Sequence, residues 1–509
     1  MRRVGKVRGM TRRLLASVVA LLLVACGTAP GVRTERADQA PPRPPTDGGS
    51  AVPSSQPTTE TADTGESGDT GDTGDGVGDV LFPDLGNPGL DVLHYDVDLS
   101  YDSITDTIEG MVGLDAALTT DRTEITLDAI GLATSEVTVD GRTARAVTDG
   151  PELRITLPEP ASAGDEIRIE VAYRAATAER SSAIGLPNGW FNTIGGSYVL
   201  NEPDGARTWM PCNDHPSDKA TYTFTISVPR GVTAVANGAL IEQRAEGTRD
   251  VWVWQEQRPM ATYLILLLTG DYEVVESTGP GGLPLVSAIL RRDRAEMQPF
   301  LDVTPEMIEF FEELFGDYPL DGYGIAITDS FGGLAMETQG RSLFSRDDFS
   351  DGGLGPGQQL LLAHELAHQW FGDAVTPARW QDIWLNESFA TYGQWLWMEN
   401  IRFAEIDEEA QLALDGRPPG SSADPGVEEM FGYNSYDGGA VVVHALRLTI
   451  GDEAFFRLLQ QWVAENNGAS RTTADFIALA EEVAGRSLAD FFDTWLFATV
   501  PPALLPDPA

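Results

Sequence analysis

Short segments with alternating apolar and polar residues follow one another in the first half of the chain, each bounded by Gly, Asp, Pro or Thr. A period of two places successive side chains on opposite faces of a strand, and short strands separated by turn residues are typical of antiparallel sheets. We therefore predict an antiparallel β-sandwich-like domain over residues 86–277. The predicted strands are 94–99, 108–114, 124–127, 136–139, 153–157, 166–173, 221–228, 233–235, 251–254 and 263–268.

The apolar spacing changes from that of strands to that of helices beyond about residue 278. Apolar residues recur there at intervals of three and four, which is the spacing of an amphipathic helix. Helices are predicted at 304–315, 438–450, 452–466, 472–483 and 488–498, with a strand at 323–328. The expected fold class is α+β multidomain, in which a mostly α domain over residues 278–509 follows the β domain.

The first 85 residues differ in amino-acid composition from both predicted domains. A basic start is followed by an apolar run at 14–24, which is too short to span a bilayer and has the length of a signal segment. Leu-Val-Ala-Cys-Gly at residues 23–27 resembles a bacterial lipobox, which implies cleavage before Cys26 and a lipid on its thiol. Met10 is an alternative start, Arg12-Arg13 hints at twin-arginine export, and ordinary secretion with a chance Cys26 is the alternative to a lipoprotein.

Residues 27–85 are rich in Pro, Thr, Gly and Asp and contain too few apolar residues to offset the entropy of ordering. We predict a disordered linker there. With residues 1–26 as signal peptide and lipobox, the expected location is extracytoplasmic, with the protein anchored to a membrane through Cys26.

Charge and cysteine content restrict the function further. The 509 residues carry a formal net charge of −44, so nucleic-acid binding is excluded because phosphate repels such a surface. The two cysteines, Cys26 and Cys212, cannot make a disulfide framework. We expect Cys212 to be a small buried residue.

The segment 361–392 contains the strongest chemical signal. His364 and His368 are four apart in a stretch with helical composition, so both lie on one face and can hold one zinc ion. Glu365 beside them can reach a water on the metal. Glu387, nineteen positions after His368 on a second predicted helix (387–401), supplies a third ligand and leaves one position open.

These residues resemble the M1 family of zinc metallopeptidases, the gluzincin aminopeptidases. The resemblance extends from about residue 91 to 501 and includes His-Glu-Leu-Ala-His-Gln-Trp-Phe-Gly-Asp at 364–373, Trp-x-Asp-x-Trp-Leu-Asn-Glu at 380–387, and Gly-Ala-Arg-x-Trp-Met-Pro-Cys-x-Asp-x-Pro at 205–216. It implies a thermolysin-like catalytic domain, one Zn²⁺ per chain and peptide substrates. It also indicates a short form without the large helical C-terminal domain of longer relatives, and hence a more open site.

Zinc held by His364, His368 and Glu387 would lower the pKa of its water and polarise the scissile carbonyl. Glu365 would act as general base and then as general acid. By resemblance, the donor to the oxyanion is Tyr436 of a Tyr-x-x-Gly segment, with Tyr433 as the nearest competitor.

Removal of an N-terminal residue requires a group that recognises a free amine. The family's Gly-x-Met-Glu-Asn strand corresponds to residues 334–338, so Glu337 is the expected amine anchor and Ala335 and Met336 are expected to contact the substrate backbone. This chain has Leu334 and Thr338 in place of the family's Gly and Asn. Leu200 stands where the family often has Gln, so Glu202 is the nearer polar group for substrate.

The function predicted from the sequence is therefore a zinc-dependent aminopeptidase. Two alternatives stay open. One is a zinc hydrolase of other selectivity, either an endopeptidase or an epoxide hydrolase. The other is a catalytically silent surface-binding module.

Overall fold

The computed structural model describes residues 76–182, 184–330, 335–349 and 353–509. The signal peptide, Cys26 and most of the predicted linker lie outside these residues, as do Gly333 and Leu334. The N-terminal strands are β1 (Leu90–Asp102), β2 (Thr107–Leu118), β3 (Arg122–Asp128), β4 (Ala133–Val139), β5 (Arg142–Thr143), β6 (Arg145–Asp149), β7 (Glu152–Ala161), β8 (Glu166–Ala176), β9 (Glu179–Ser181), β10 (Pro187–Asn192), β11 (Gly196–Leu200), β12 (Lys219–Pro229), β13 (Thr233–Ala236), β14 (Ala239–Glu246), β15 (Arg249–Ala261) and β16 (Leu267–Gly270).

Three sheets make up this β-rich part. Their strand orders are β14-β15-β12-β1-β2-β8-β4-β5, β13-β16-β11-β10-β9 and β3-β7-β6. The predicted β-rich N-terminal domain is confirmed. Its pairing is not purely antiparallel, however, because β1 pairs with β12 in parallel, with His94 opposite Thr221. A parallel neighbour requires a long crossover, and more than a hundred residues separate these two strands.

One predicted strand is wrong. The segment 263–268 begins in a short 3-10 helix, Thr262–Leu264, and only its end belongs to β16. The run Tyr263–Leu268 is almost completely buried, so its apolar residues show no alternation. A continuous apolar run of this kind does not distinguish one local conformation from another.

The C-terminal part combines a sheet with helices. Its strands are β17 (Tyr272–Thr278), β18 (Pro284–Leu290), β19 (Ile325–Thr328), β20 (Ala335–Met336), β21 (Ser342–Ser345), β22 (Val375–Pro377) and β23 (Ala469–Arg471). The helices are α1 (Gln298–Phe315), α2 (Pro356–Ala367), α3 (Trp384–Asn400), α4 (Ile406–Gly416), α5 (Asp437–Ile450), α6 (Asp452–Asn466), α7 (Thr473–Ala484) and α8 (Ala489–Trp495). The sheet order β17-β18-β19-β21-β20 leaves β20 at an edge.

The structure moves both predicted domain limits. β17 pairs with β18, so a boundary after residue 277 falls inside a strand of the second sheet. Residues 76–85, which we assigned to the linker, are folded: the Asp79 carboxylate accepts hydrogen bonds from the backbone N–H groups of Leu81 and Trp380, both at 2.7 Å, and Phe82 packs on the Trp380 ring. The linker prediction is wrong for these residues because Leu81, Phe82 and Leu85 become buried.

The helices around the site were mostly foreseen. α1, α5, α6, α7 and α8 overlap the predicted segments, whereas α4 was not predicted. Almost every side chain of α3 is buried, so its polar residues lie in the interior rather than on a solvent-exposed face. No helix of the described chain is long and apolar enough to cross a membrane. Cys212 is completely buried, as expected.

Candidate metal centre and active site

Three predicted ligands meet where α2 and α3 pack together. His364 lies on the last turn of α2 and His368 at its C-cap, with helical φ and ψ, and their ring centroids are 4.7 Å apart. Glu387, on the first turn of α3, places Oε2 3.3 Å from His364 Nε2 and 3.5 Å from His368 Nε2. The local helix period and the packing of two helices therefore bring two imidazoles and one carboxylate to a single point.

Hydrogen bonds on the far side of each imidazole orient the rings. His364 Nδ1 lies 3.1 Å from Gln394 Oε1, and His368 Nδ1 lies 2.5 Å from Asn386 Oδ1 and 3.2 Å from the Phe371 carbonyl. These oxygens can each accept from an Nδ1–H, which would leave Nε2 of each ring available to a metal. This arrangement is the usual outer support of metal-binding histidines.

The donor set fits zinc. The ligand atoms of His364, His368 and Glu387 lie within 4.8 Å of one another, and all three side chains are buried. Two imidazole nitrogens and one carboxylate oxygen match the three-ligand pattern of catalytic zinc. When bound, the ion would supply Lewis-acid polarisation and acidify a water.

A group of carboxylates surrounds this centre. Glu337, Glu365 and His368 have ligand atoms within 4.8 Å of one another, and so do Glu202, Glu337 and Glu387. Among the described residues, Glu202 Oε1 and Glu365 Oε2 are buried without a hydrogen-bond partner. Buried carboxylates without partners are costly, so the site is suited to ligands that bring positive charge and hydrogen-bond donors.

The protonation equilibria reflect this crowding. Burial raises the pKa of Glu365 and of Glu202 well above the ordinary value, and Glu337 and Glu387 raise both further. Burial opposes ionisation of Glu387 too, but the two histidines outweigh it and lower its pKa to about 2. Burial opposes a charge on His368, yet Glu337 and Glu387 hold its pKa well above the ordinary value. The site thus attracts positive charge, which a divalent metal can supply in place of a proton.

Glu337 lies at the junction of three elements. It follows the edge strand β20, which pairs with β21 through Ala335 and Met336. Asn386 Nδ2 donates to Glu337 Oε1 at 2.9 Å, and Gln369 Nε2 donates to its backbone carbonyl at 3.1 Å. One carboxamide, that of Asn386, therefore holds both a metal-ligand histidine and the predicted amine anchor.

Two glycines permit the close approaches that this arrangement requires. A Cβ at Gly372, whose φ is +131°, would stand 2.0 Å from Asn386 Oδ1. A Cβ at Gly439, on the first turn of α5, would stand 1.8 Å from Ser388 Oγ on α3. Without a side chain at 439, α5 packs directly against the helix that carries Glu387.

This packing brings Tyr436 to the metal centre. Tyr436 lies at the N-cap of α5, and its ring is stacked 6.0 Å from that of His364 at an interplanar angle of 15°. Tyr433 is engaged elsewhere, because its hydroxyl donates to the Ala413 carbonyl at 2.8 Å. Of the two candidates for the oxyanion donor, the geometry favours Tyr436.

The departures from the family pattern also lie here. Leu200 is buried at the end of β11, and Glu202 follows it with its carboxylate beside Glu337 and Glu387. Glu202, Glu337, Glu365 and Glu387 were predicted from the sequence. No role was predicted for Asn386, Gln394 or Gln369, nor for the buried Asp373. Their positions relative to the predicted ligands could have identified the three amides. Asn386 precedes Glu387, Gln369 follows His368, and Gln394 lies two helical turns after Glu387.

A β-rich domain followed by an α-containing domain, with two histidines and a glutamate around a further buried glutamate, defines the class of zinc-dependent metallopeptidases. Residues 92–264 match the Peptidase M1 N-terminal domain, and residues 300–495 match the Peptidase family M1 domain. The chain belongs to the M1 family of zinc metallopeptidases.

Solved structures and curated relatives agree with this assignment. The crystal structure of the M1 zinc metallopeptidase from Deinococcus radiodurans matches with 31% sequence identity and a TM-score of 0.75. The match covers 85% of this chain and 100% of the Deinococcus chain. A mutant of that enzyme bound to a Tyr-Ser-Ala substrate gives 30% identity and a TM-score of 0.76 over 85% of this chain. The leucyl aminopeptidase of Saccharolobus solfataricus is 26% identical over 431 residues, 80% of this chain and 53% of the relative. The chain spans about half the length of the curated relatives it matches.

Proposed function

We propose that this protein is a zinc-dependent aminopeptidase that removes N-terminal residues from peptides. The observation that carries the proposal is the position of the Glu337 carboxylate, buried beside the metal ligands and oriented by Asn386. A free α-ammonium group bound there would neutralise part of the excess negative charge. The matched aminopeptidases and the substrate-bound M1 structure support the same reaction.

Each residue has a distinct task in this proposal. His364, His368 and Glu387 hold the zinc. Glu365, whose pKa burial raises well above the ordinary value, takes a proton from the attacking water and delivers it to the leaving amine.

Tyr436, next to His364, donates to the oxygen on which charge develops. Glu337 binds the substrate amine, with Glu202 as a second carboxylate beside it, and the edge strand at Ala335 and Met336 offers backbone groups to an extended peptide.

The test is hydrolysis of aminoacyl fluorogens by the full chain, before and after treatment with a zinc chelator and after zinc is restored. We expect release that the chelator abolishes and zinc recovers. N-acetylated versions of the same fluorogens should be inert. Cleavage of blocked peptides at internal bonds would instead show an endopeptidase, turnover of epoxides alone an epoxide hydrolase, and no turnover of any kind a surface-binding module.

We also propose that the protein is an extracytoplasmic lipoprotein anchored through Cys26. The basic start, the apolar run at 14–24 and the Leu-Val-Ala-Cys sequence support it. Metabolic labelling with a fatty acid should mark the native protein, and Cys26→Ser should remove the label and move the protein out of the membrane fraction. Equal labelling of both forms would refute the anchor.

A further inference from the structure

A second cavity lies away from the metal centre, against the end of α3 and the adjoining parts of α4, α5 and α6. Its volume is about 680 Å³. Five carboxylates line it, those of Glu399, Glu405, Asp407, Glu408 and Asp452. Acidic residues on a surface do not by themselves make a site, but the wall of this cavity also contains a buried titratable group.

That group is His444, on α5, which is only 1% exposed. Its Nδ1 is 3.1 Å from the Tyr392 hydroxyl. Its Nε2 has no hydrogen-bond partner among the described residues, although Asp407 Oδ1 lies 3.1 Å away. The Asp407 side chain is 78% exposed. A buried ring nitrogen thus faces an exposed carboxylate at ion-pair distance.

The arginine that lines the cavity, Arg447, already has hydrogen-bond partners. Arg447 donates to both carboxylate oxygens of Asp452, at 2.8 and 3.1 Å, and to the Tyr392 hydroxyl at 3.2 Å. Glu399 accepts from the Ile406 N–H at the start of α4. The remaining carboxylates leave the cavity with an excess of negative charge.

His444 is neutral under ordinary conditions. Burial lowers its pKa to about 4, against the opposing effect of Asp407 and with the help of Arg447. In the tautomer whose Nδ1–H donates to the Tyr392 hydroxyl, the neutral ring presents a lone pair at Nε2, which is the usual orientation of a metal-binding imidazole.

We propose that His444 and Asp407 bind a second divalent transition-metal ion, separate from the catalytic zinc. With bonds of about 2.0–2.2 Å, two donors on one ion lie about 3 Å apart, which matches their separation of 3.1 Å. The described residues offer no third His, Cys, Asp or Glu donor close enough to complete a three-ligand group. Water fills the other positions, so binding is weaker than at the catalytic centre and strongest for Cu²⁺.

A metal at this position would join α4, which carries Asp407, to α5, which carries His444. Ligands that bind only the folded state raise its stability by mass action. Occupancy should therefore appear as a rise in the melting temperature, independently of any turnover.

The experiment is a Cu²⁺ titration of the full chain already loaded with zinc, followed by equilibrium dialysis, zinc analysis and electron paramagnetic resonance. We expect one further equivalent of copper with nitrogen coupling, while the zinc is retained. His444→Gln should remove the nitrogen coupling, and Asp407→Asn, at an exposed position, should weaken binding at least about tenfold.

The matched control is His94→Gln. His94 Nε2 also lies 3.3 Å from an aspartate, Asp96, but both of its ring nitrogens are within hydrogen-bond distance of threonine hydroxyls. This variant should bind copper like the native chain. The proposal is overturned if no further copper binds, if the copper displaces zinc, or if binding survives both cavity variants.

Discussion

Two clusters of buried carboxylates, which come close in sequence only at residues 202 and 204, differ in what neutralises them. The first, here the arginine cluster, consists of Asp128, Asp204, Arg207 and Asp214. The second, here the glutamate cluster, consists of Glu202, Glu337, Glu365 and Glu387. Both are almost completely excluded from solvent, apart from Glu202, which is half-buried.

The arginine cluster supplies its own counter-charge. The Arg207 guanidinium donates to Asp204 at 2.5 Å and lies 3.8 Å from Asp128, and its backbone N–H donates to Asp214 at 3.0 Å. Thr262 and Asn87 donate to the remaining aspartates, at 2.6 Å each. Burial raises the pKa of both Asp128 and Asp214 to about 7, so below that pH protons neutralise what the arginine does not.

No described lysine or arginine forms an ion pair with the glutamate cluster. Its only ion-pair partners among the described residues are His364 and His368. A buried charge without a counter-charge is unfavourable, unless a bound ligand supplies the counter-charge. A residue of the motif at 205–216 therefore neutralises the arginine cluster, whereas the glutamate cluster keeps a negative charge that a metal and, in the proposed function, a cationic substrate would offset.

The largest expected effect comes from removing the metal. His368→Ala should lose the zinc and all turnover, because two ligands remain. Glu365→Gln should keep one equivalent of zinc and lose roughly 10²–10⁴-fold in kcat, the range for a general base. Elemental analysis of both purified variants, with fluorogen assays, checks the pair. Equal zinc in the two would contradict the assignment of roles.

The next effect concerns the amine anchor. Glu337→Gln keeps an oxygen that can accept from Asn386 but removes the charge. Loss of one partner of a buried charge pair costs about 2–5 kcal/mol, so kcat/KM for free-amine fluorogens should fall by roughly 30-fold or more. Zinc content should not change. A similar fall for any slow hydrolysis of N-acetylated substrates would refute the anchor role.

Substitutions in the arginine cluster should change the stability of the protein rather than its zinc content. Arg207→Leu leaves three buried aspartates without their cation and should lower the free energy of unfolding by about 3–5 kcal/mol. Arg142→Leu is the control, because its ion pair with Glu159 is exposed and should matter by less than about 1 kcal/mol. Denaturant unfolding of the metal-free chains measures both. Equal values for the two variants would remove the distinction between the clusters.

The smallest effect, at most about 1.4 kcal/mol per pH unit for one group, is a pH dependence of stability. The pKa of Asp128 is raised from 3.8 to about 7 in the folded chain, so between these values the folded state keeps a proton that the unfolded state has lost. Its contribution to stability is complete below pH 3.8 and is lost as the pH rises to 7. Asp128→Asn should make that decline shallower in urea unfolding with chelator present, whereas Asp490→Asn, at an exposed site, should not. An unchanged slope in Asp128→Asn would contradict the assignment.

The candidate metal centre could be predicted from local patterns in the sequence. His364 and His368 meet because the period of one helix brings residues four apart onto one face, and this local rule holds whatever the helix packs against. Glu387 could be predicted as the third ligand because its helix follows soon after the helix that carries the two histidines. The alternation of the β domain was equally local, which is why most strands were placed correctly.

The assembly of the rest of the site depends on tertiary packing and could not be worked out from local patterns. Glu202, Glu337 and Tyr436 come from three distant segments, and Gly372 and Gly439 allow the approaches that bring them together. The parallel pairing of β1 with β12 and the burial of residues 76–85 depend likewise on contacts between segments far apart in sequence. Local patterns fix which face of an element is apolar, whereas long-range packing selects which elements meet, and the charge balance of each buried cluster follows from that selection.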